Sequence, residues 1–149
     1  MSFYGVKKLL FWVVLIAGGY YGLDYVKVHT SSDVVAYKRF AKALIENDLY
    51  SARQASNRDL AEKAFATNPE RMKYFRGARV LFTYYDVISQ KFSKDGQTSF
   101  LVVEQVSRTN SNGKVGFWGD GEIRIRQTAR LEKEDLFWKV TNFTDPAML

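Results

Sequence analysis

Cysteine is absent from this chain of 149 residues, which excludes disulfides, thiol nucleophiles and thiolate metal sites together. It leaves the redox compartment open, because a cysteine-free domain suits any of them. Histidine occurs once, at His29, so a histidine-based triad or a multi-histidine zinc site is closed to a single chain. His29 stands in a polar stretch shortly after an apolar run and reads as a solvated linker residue. The glycines at 113, 116, 119 and 121 form neither a GxGxxG fingerprint nor a P-loop, and no GK[ST] follows a glycine-rich stretch. No internal repeat and no low-complexity segment is present.

What the chain does have begins at its N-terminus. Lys7 and Lys8 precede an uncharged run, residues 9–23 (LLFWVVLIAGGYYGL), which closes at Asp24. Two cations ahead of an apolar stretch read as a membrane anchor or an export signal, N-terminus in the cytoplasm. As a helix the run covers about 22 Å, short for a span, but Phe3, Tyr4 and Val6 extend it while Lys7 and Lys8 snorkel. Tyr20, Tyr21 and Tyr25 suit the far interface. A cleaved signal is the competing reading, with Ala17 and Gly19 as small residues before a new start at Tyr20. Gly18 and Gly22 form a small-xxx-small pair that composition alone explains. The membrane-facing core of the anchor is expected at Leu9, Leu10, Phe11, Trp12, Val13, Val14, Leu15 and Ile16.

The expected organisation is an anchor over residues 1–24, a linker over 25–32 and an extracytoplasmic domain over 33–149. About 125 residues beyond the anchor suit one domain. Hydrophobic residues at 46% and aromatics at 15% provide a core, so this is no disordered tail. The net charge of +6 favours anionic head groups or acidic partners; nucleic acid has no binding motif to go with it.

Ser32 or Asp33 can cap a helix whose Val34, Tyr37, Ala41, Leu44 and Ile45 share one face. A short helix with Leu49, Ala52 and Ala55 follows. A third, capped at Ser56 or Asn57, carries Leu60, Ala61, Ala64 and Phe65 and is expected to end near Pro69. Residues 70–76 add a turn that places Met72 and Phe75 or Tyr74 inward. From Arg79 the period changes. Residues 80–92 (VLFTYYDVISQKF) and 98–106 read as strands around the turn signal Asp95-Gly96. After a glycine-rich loop over 110–121, residues 122–132 alternate Ile123, Ile125, Gln127, Ala129 and Leu131 against Arg124, Arg126, Thr128 and Arg130. The last strand is 136–143. Helices first and a meander of about four strands after them predict an α+β domain, its helices packed on a curved antiparallel sheet.

The helix segment FAKALIEND (40–48) with Ala52 after it, and the closing strand FWKVTNF (137–143), resemble the nuclear transport factor 2-like (cystatin-like) superfamily. The resemblance spans residues 33–143 in layout, with Asn47 where many members have glycine. It implies a sheet wrapped around a long helix, leaving a pocket or a dimer face, on a fold that hosts enzymes, carriers and assembly modules. The tethered architecture is similar to the inner-membrane bridging component of type IV secretion systems, and less so to single-span cytochrome oxidase assembly factors.

Several side chains are candidates for contact or chemistry. Tyr84 and Asp86 share a strand face with Val80 and Phe82, so a carboxyl inside an apolar pocket is the carrier or isomerase reading; a solvated edge carboxylate is the plain one. Glu104 is read the same way. Arg124, Arg126 and Arg130 offer a common outward face to an acidic partner, head groups or a second copy, or simply cover an open sheet. Phe117 and Trp118 in the glycine-rich loop either fold onto the core or dock a partner. The resulting expectation is a single-span, non-catalytic assembly domain in a membrane complex, facing a bacterial periplasm, with no cofactor and no metal. Its partners would be the bilayer, other complex proteins and further copies of itself. The alternatives are a ligand-binding or isomerase-like domain using Tyr84 and Asp86, and a secreted soluble binding domain.

Overall fold

The computed structural model describes residues 3–111 and 119–146. It divides into two compact units, Met1–Ser31 and Ser32–Leu149.

The first unit is one helix, α1 (Phe3–Thr30). At 28 residues it rises about 42 Å, more than the ~30 Å of a hydrocarbon core. Gly5–Thr30 is long and apolar enough to cross a membrane, and none of it is buried. Every side chain from Leu9 to Ile16 is more than half exposed, an arrangement that lipid accommodates and water penalises. The helix runs through most of the stretch expected as linker. Its polar end bonds back to the preceding turn: Thr30 Oγ1 donates to the Val26 carbonyl at 2.7 Å, and the Tyr25 and His29 rings stack at 3.9 Å.

The second unit starts with α2 (Ser32–Glu46), α3 (Leu49–Ala55), α4 (Arg58–Ala66), α5 (Asn68–Met72) and a 3-10 turn, Lys73–Phe75. Along α2 the residues Val34, Tyr37, Phe40, Ala41 and Leu44 are buried, the stripe that a 3.6-residue period dictates. Phe40 joins this core fully, whereas Ile45 is only half-buried. Ala41, Ala52, Ala55, Ala61 and Ala64 keep the facing helix surfaces small enough for close packing. Asp48 caps α3 by accepting from Ser51 N at 3.1 Å, and Asn57 caps α4 by accepting from Leu60 N at 2.8 Å. Asn47 ends α2 at φ 56, a left-handed conformation that asparagine tolerates next best to glycine. Pro69 does not end the helical region; it sits in the first turn of α5, where its missing N–H costs nothing.

The sheet follows, β1 (Arg79–Phe92), β2 (Thr98–Asn110), β3 (Gly121–Glu134) and β4 (Phe137–Thr144), antiparallel in the order β1-β2-β3-β4. The protein is an α+β fold with helices on one sheet face. Leu101, Val103, Ala129, Leu131, Trp138, Val140 and Phe143 face the helices and complete the core with α2, α3 and α4. Asn57 N donates to the Val140 carbonyl at 3.1 Å, so the α3–α4 junction covers part of the β4 edge. At the other side Asp33, in the first turn of α2, accepts from Ser99 Oγ at 2.6 Å and Gln90 Nε2 at 2.8 Å. That buried carboxylate fastens the start of α2 to the β1–β2 hairpin.

Candidate functional site

Two bulges decide what β1 presents. The pairing with β2 shifts between Val80 and Phe82, and again between Val87 and Ser89. Val80 pairs with Thr109, a buried inward residue, whereas Phe82 pairs with Arg108 on the outward row. Val80 and Phe82 therefore do not share a face, and counting from Val80 gives the wrong phase as far as Val87, after which the second bulge restores it. Tyr84 and Asp86 point outward and are exposed. The inward tyrosine is Tyr85, opposite buried Gln105. Of the two readings of Asp86 the solvated carboxylate fits this placement, and the inward carboxyl of the carrier or isomerase alternative does not.

The outward sheet face joins two kinds of surface. Phe82, Tyr84, Ile88 and Phe100 expose apolar area on β1 and β2. Beside them β3 carries Arg124, Arg126 and Arg130, each side chain at least half exposed. These arginines do not stand alone. Arg124 reaches Glu104 at 2.6 Å and also pairs with Glu122; Arg126 lies 3.6 Å from Glu104; Arg130 pairs with Glu132 at 2.8 Å and stacks over Phe100 at 5.8 Å. The hydrogen bond from Arg124, reinforced by its charge and that of Arg126, lowers the Glu104 pKa against an opposing desolvation. Glu104 is thus an ion-pairing carboxylate of this face. Phe117 and Trp118 lie outside the described residues.

The inward face holds a polar cluster that strand alternation alone does not announce. Asp145, just past β4, accepts from Arg71 Nη2 at 2.7 Å and from Gln127 Nε2 at 2.7 Å. Gln127 Nε2 also reaches Gln105 Oε1 at 3.2 Å, and Tyr37 O–H donates to Gln127 Oε1. All five residues are buried, with Asp145 and Arg71 forming a closed ion pair. Burial, together with Tyr85 and Asp145, raises the Tyr37 pKa well above the ordinary tyrosine value, against the pull of Arg71. Burial does the same at Tyr85. Both phenols stay protonated, and the buried acid is matched by a cation, so the cluster holds α2, α5, β2, β3 and the C-terminal segment in register. One signal for it stood in the sequence: Gln127 interrupts the apolar row Ile123, Ile125, Ala129 and Leu131. Arg71 had none, since the expected inward residues of its segment were Met72, Phe75 and Tyr74. Of these Phe75 is buried, and Met72 and Tyr74 are exposed.

Two hollows open beside these faces. One, of about 500 Å³, lies between the second half of α2, Met72 and the start of β1, with Tyr85 in its wall. The other is an open cleft of about 1100 Å³ between the 3-10 turn and the ends of β2 and β3; its Lys73 and Glu70 already pair at 2.7 Å. Among the described residues no cluster of three or more histidine or acidic side chains could hold a metal ion.

No protein-family model matches the chain, and no curated protein matches it. Among solved structures it is similar to the intermembrane space region of the chloroplast protein ARC6, at 12% identity and a TM-score of 0.36, covering 82% of this chain and 93% of that one. That superposition is too loose to transfer any role, so function has to be read from this chain's own residues.

Proposed function

We propose that this is a single-span membrane protein whose α+β domain is a non-catalytic interaction module of a membrane complex, laid out like the nuclear transport factor 2-like superfamily. The N-terminus lies in the cytoplasm, as Lys7 and Lys8 favour, and the domain works on the other side, in a bacterial periplasm. The observation that carries the proposal is α1: none of its apolar side chains is buried along Gly5–Thr30, while the rest of the chain closes a core of its own. Catalysis is disfavoured because the buried acids Asp33 and Asp145 are taken up by structural donors, and the half-buried carboxylate Glu104 by arginines. The outward sheet face is the contact surface, its aromatics supplying apolar area and its arginine row direction. The anchor raises the effective concentration of the domain for partners in the same membrane.

The test uses the cysteine-free chain as a background for single cysteines. Gln54→Cys in the full-length protein is labelled in intact cells with a membrane-impermeant maleimide, and the protein is then extracted from carbonate-washed membranes. Labelling from outside, a full-length mass and stoichiometric co-purifying membrane proteins are expected. Replacing Arg124, Arg126 and Arg130 together by serine should release those partners while the domain stays folded. A mass beginning near Tyr20 in the soluble fraction, or partners retained by the triple variant, refutes the anchor or the face respectively.

A further inference from the structure

One end of the domain carries large apolar side chains that its core does not use. β3 and β4 are joined by a two-residue turn, Asp135-Leu136, closed by the pair Glu134 and Phe137. Asp135 takes the positive φ, 54, that so tight a hairpin demands. Leu136 is 83% exposed and Phe137 71%, as open as the apolar side chains of α1. The β1–β2 hairpin lies alongside: Lys133 N donates to the Gln97 carbonyl at 2.9 Å, and the Phe92 ring stands 6.1 Å from that of Trp138.

The chain enters the domain at this same end. α1 closes at Thr30 and α2 opens at Ser32, so only Ser31 separates them. Asp33 is bonded to Ser99, and Ser99 is paired with Leu131, which sets the first turn of α2 level with Leu131 on β3. α2 then runs the other way, its Ile45 and Glu46 ending beside Val80 and Thr83. From Leu131 to Glu134 the strand continues for about 10 Å past the start of α2. From Asp24, the first charge after the apolar run, α1 rises about 9 Å to Thr30. The two lengths match, so the turn is long enough to reach back as far as the helix climbs. Charge does not compete with this: exposed Lys91, Lys94 and Lys133 are balanced by exposed Asp95, Glu134 and Asp135. Apolar area is what the turn has to offer.

We propose, on the reading of α1 as a membrane span, that Leu136 and Phe137 dock into the head-group zone of the bilayer that α1 crosses, a second contact that holds the domain against the membrane. Two side chains bind lipid weakly by themselves, but the tether keeps the turn beside the surface, so a small apolar gain suffices. A protein partner is disfavoured, because two side chains on a turn offer far less area than a specific interface needs.

The experiment uses the full chain, one copy per phosphatidylcholine nanodisc, with a nitroxide on a single introduced cysteine. Glu134→Cys reports the turn, Val14→Cys the middle of α1, and Tyr50→Cys a position just beyond the other end of α2. Collisions with oxygen relative to those with a water-soluble nickel chelate read burial in lipid. That ratio should be high for the labels at Glu134 and Val14 and low for the label at Tyr50. Replacing Leu136 and Phe137 by serine should lower the docked-to-free ratio of the turn by about tenfold, with the thermal melt unchanged because both side chains lie outside the core. A turn label as open to nickel as the one at Tyr50, beside a lipid-buried label at Val14, overturns the docking and leaves the anchor standing. A Val14 label open to nickel overturns the anchor and the docking with it. Protection of the turn that survives the double serine variant, or that occurs only in native membranes, assigns it to a protein contact and equally refutes docking on lipid.

Discussion

Changing Asp145 to asparagine removes one negative charge and alters almost no volume, which makes it a sharp perturbation of the interior. Arg71 and Asp145 side chains are 3% and 0% exposed, with 2.7 Å between Nη2 and Oδ2. An asparagine there leaves a guanidinium buried without its counter-ion, a defect that costs about 3–5 kcal/mol. The cation also stands 5.8 Å from the Phe143 ring, a contact worth up to ~2 kcal/mol, which places the expected loss toward the lower end. Against a total stability of roughly 5–15 kcal/mol, such a loss is readily measured. Urea unfolding of the full chain in detergent, followed by the sheet signal in circular dichroism, gives the assay. With a slope near ~1.5 kcal/mol/M the midpoint should fall by roughly 2 M. Arg71→Met alone should cost a similar amount, because it leaves the buried carboxylate without its cation, with only the Gln127 amide donating to it. The double variant should lose clearly less than the sum, since neither charge is then left alone. A midpoint shift under about 0.5 M for Asp145→Asn, or additive losses in the double variant, would refute the idea that this pair is a closed interior clamp.

Gly119 sits at φ 74, and a Cβ there would run into the Thr109 carbonyl; Gly119→Ala should destabilise the fold by about 1–3 kcal/mol, read from the same urea curves. The raised pKa values of Tyr37 and Tyr85 make stability fully present below the ordinary tyrosine value of about 10 and progressively lost above it. Phenolate absorbance should therefore show two tyrosines ionising only as the domain unfolds in alkali, and early ionisation of all of them contradicts the burial. At the acid end Glu104 has a lowered pKa, so its contribution holds above the usual glutamate value and fades as pH falls through the lowered one. A carboxyl-resolved NMR titration should find Glu104 titrating below the ordinary glutamate value, and Arg124→Gln should move it back up.

Much of the backbone plan was legible because it rests on local periods. The apolar stripe of α2, the cap at Asn57 and the strict alternation of β3 all follow from side-chain spacing and hydrogen-bonding chemistry. The long apolar N-terminal helix was legible for the same reason, although it runs to Thr30 and not to the expected linker boundary. The phase of β1 was not. A bulge inserts one residue without any special residue type, and residues 80–92 contain neither glycine nor proline to mark one. That single irregularity exchanges Tyr84 for Tyr85 as the inward phenol and sends Asp86 to solvent.

The sequence by itself determined a long apolar N-terminal helix, the run of helices, the four strands and the outward row of arginines on β3. Each of these is set by residues within a few positions of one another. The tertiary structure alone decided that Arg71 meets Asp145 across 74 positions, that Tyr37 meets Gln127 across 90, and that a hollow opens beside Tyr85. Such pairings depend on strand register and on how α2 and α5 settle against the sheet. A buried polar group is satisfied by whatever partner the fold delivers, and no local pattern records which one that is.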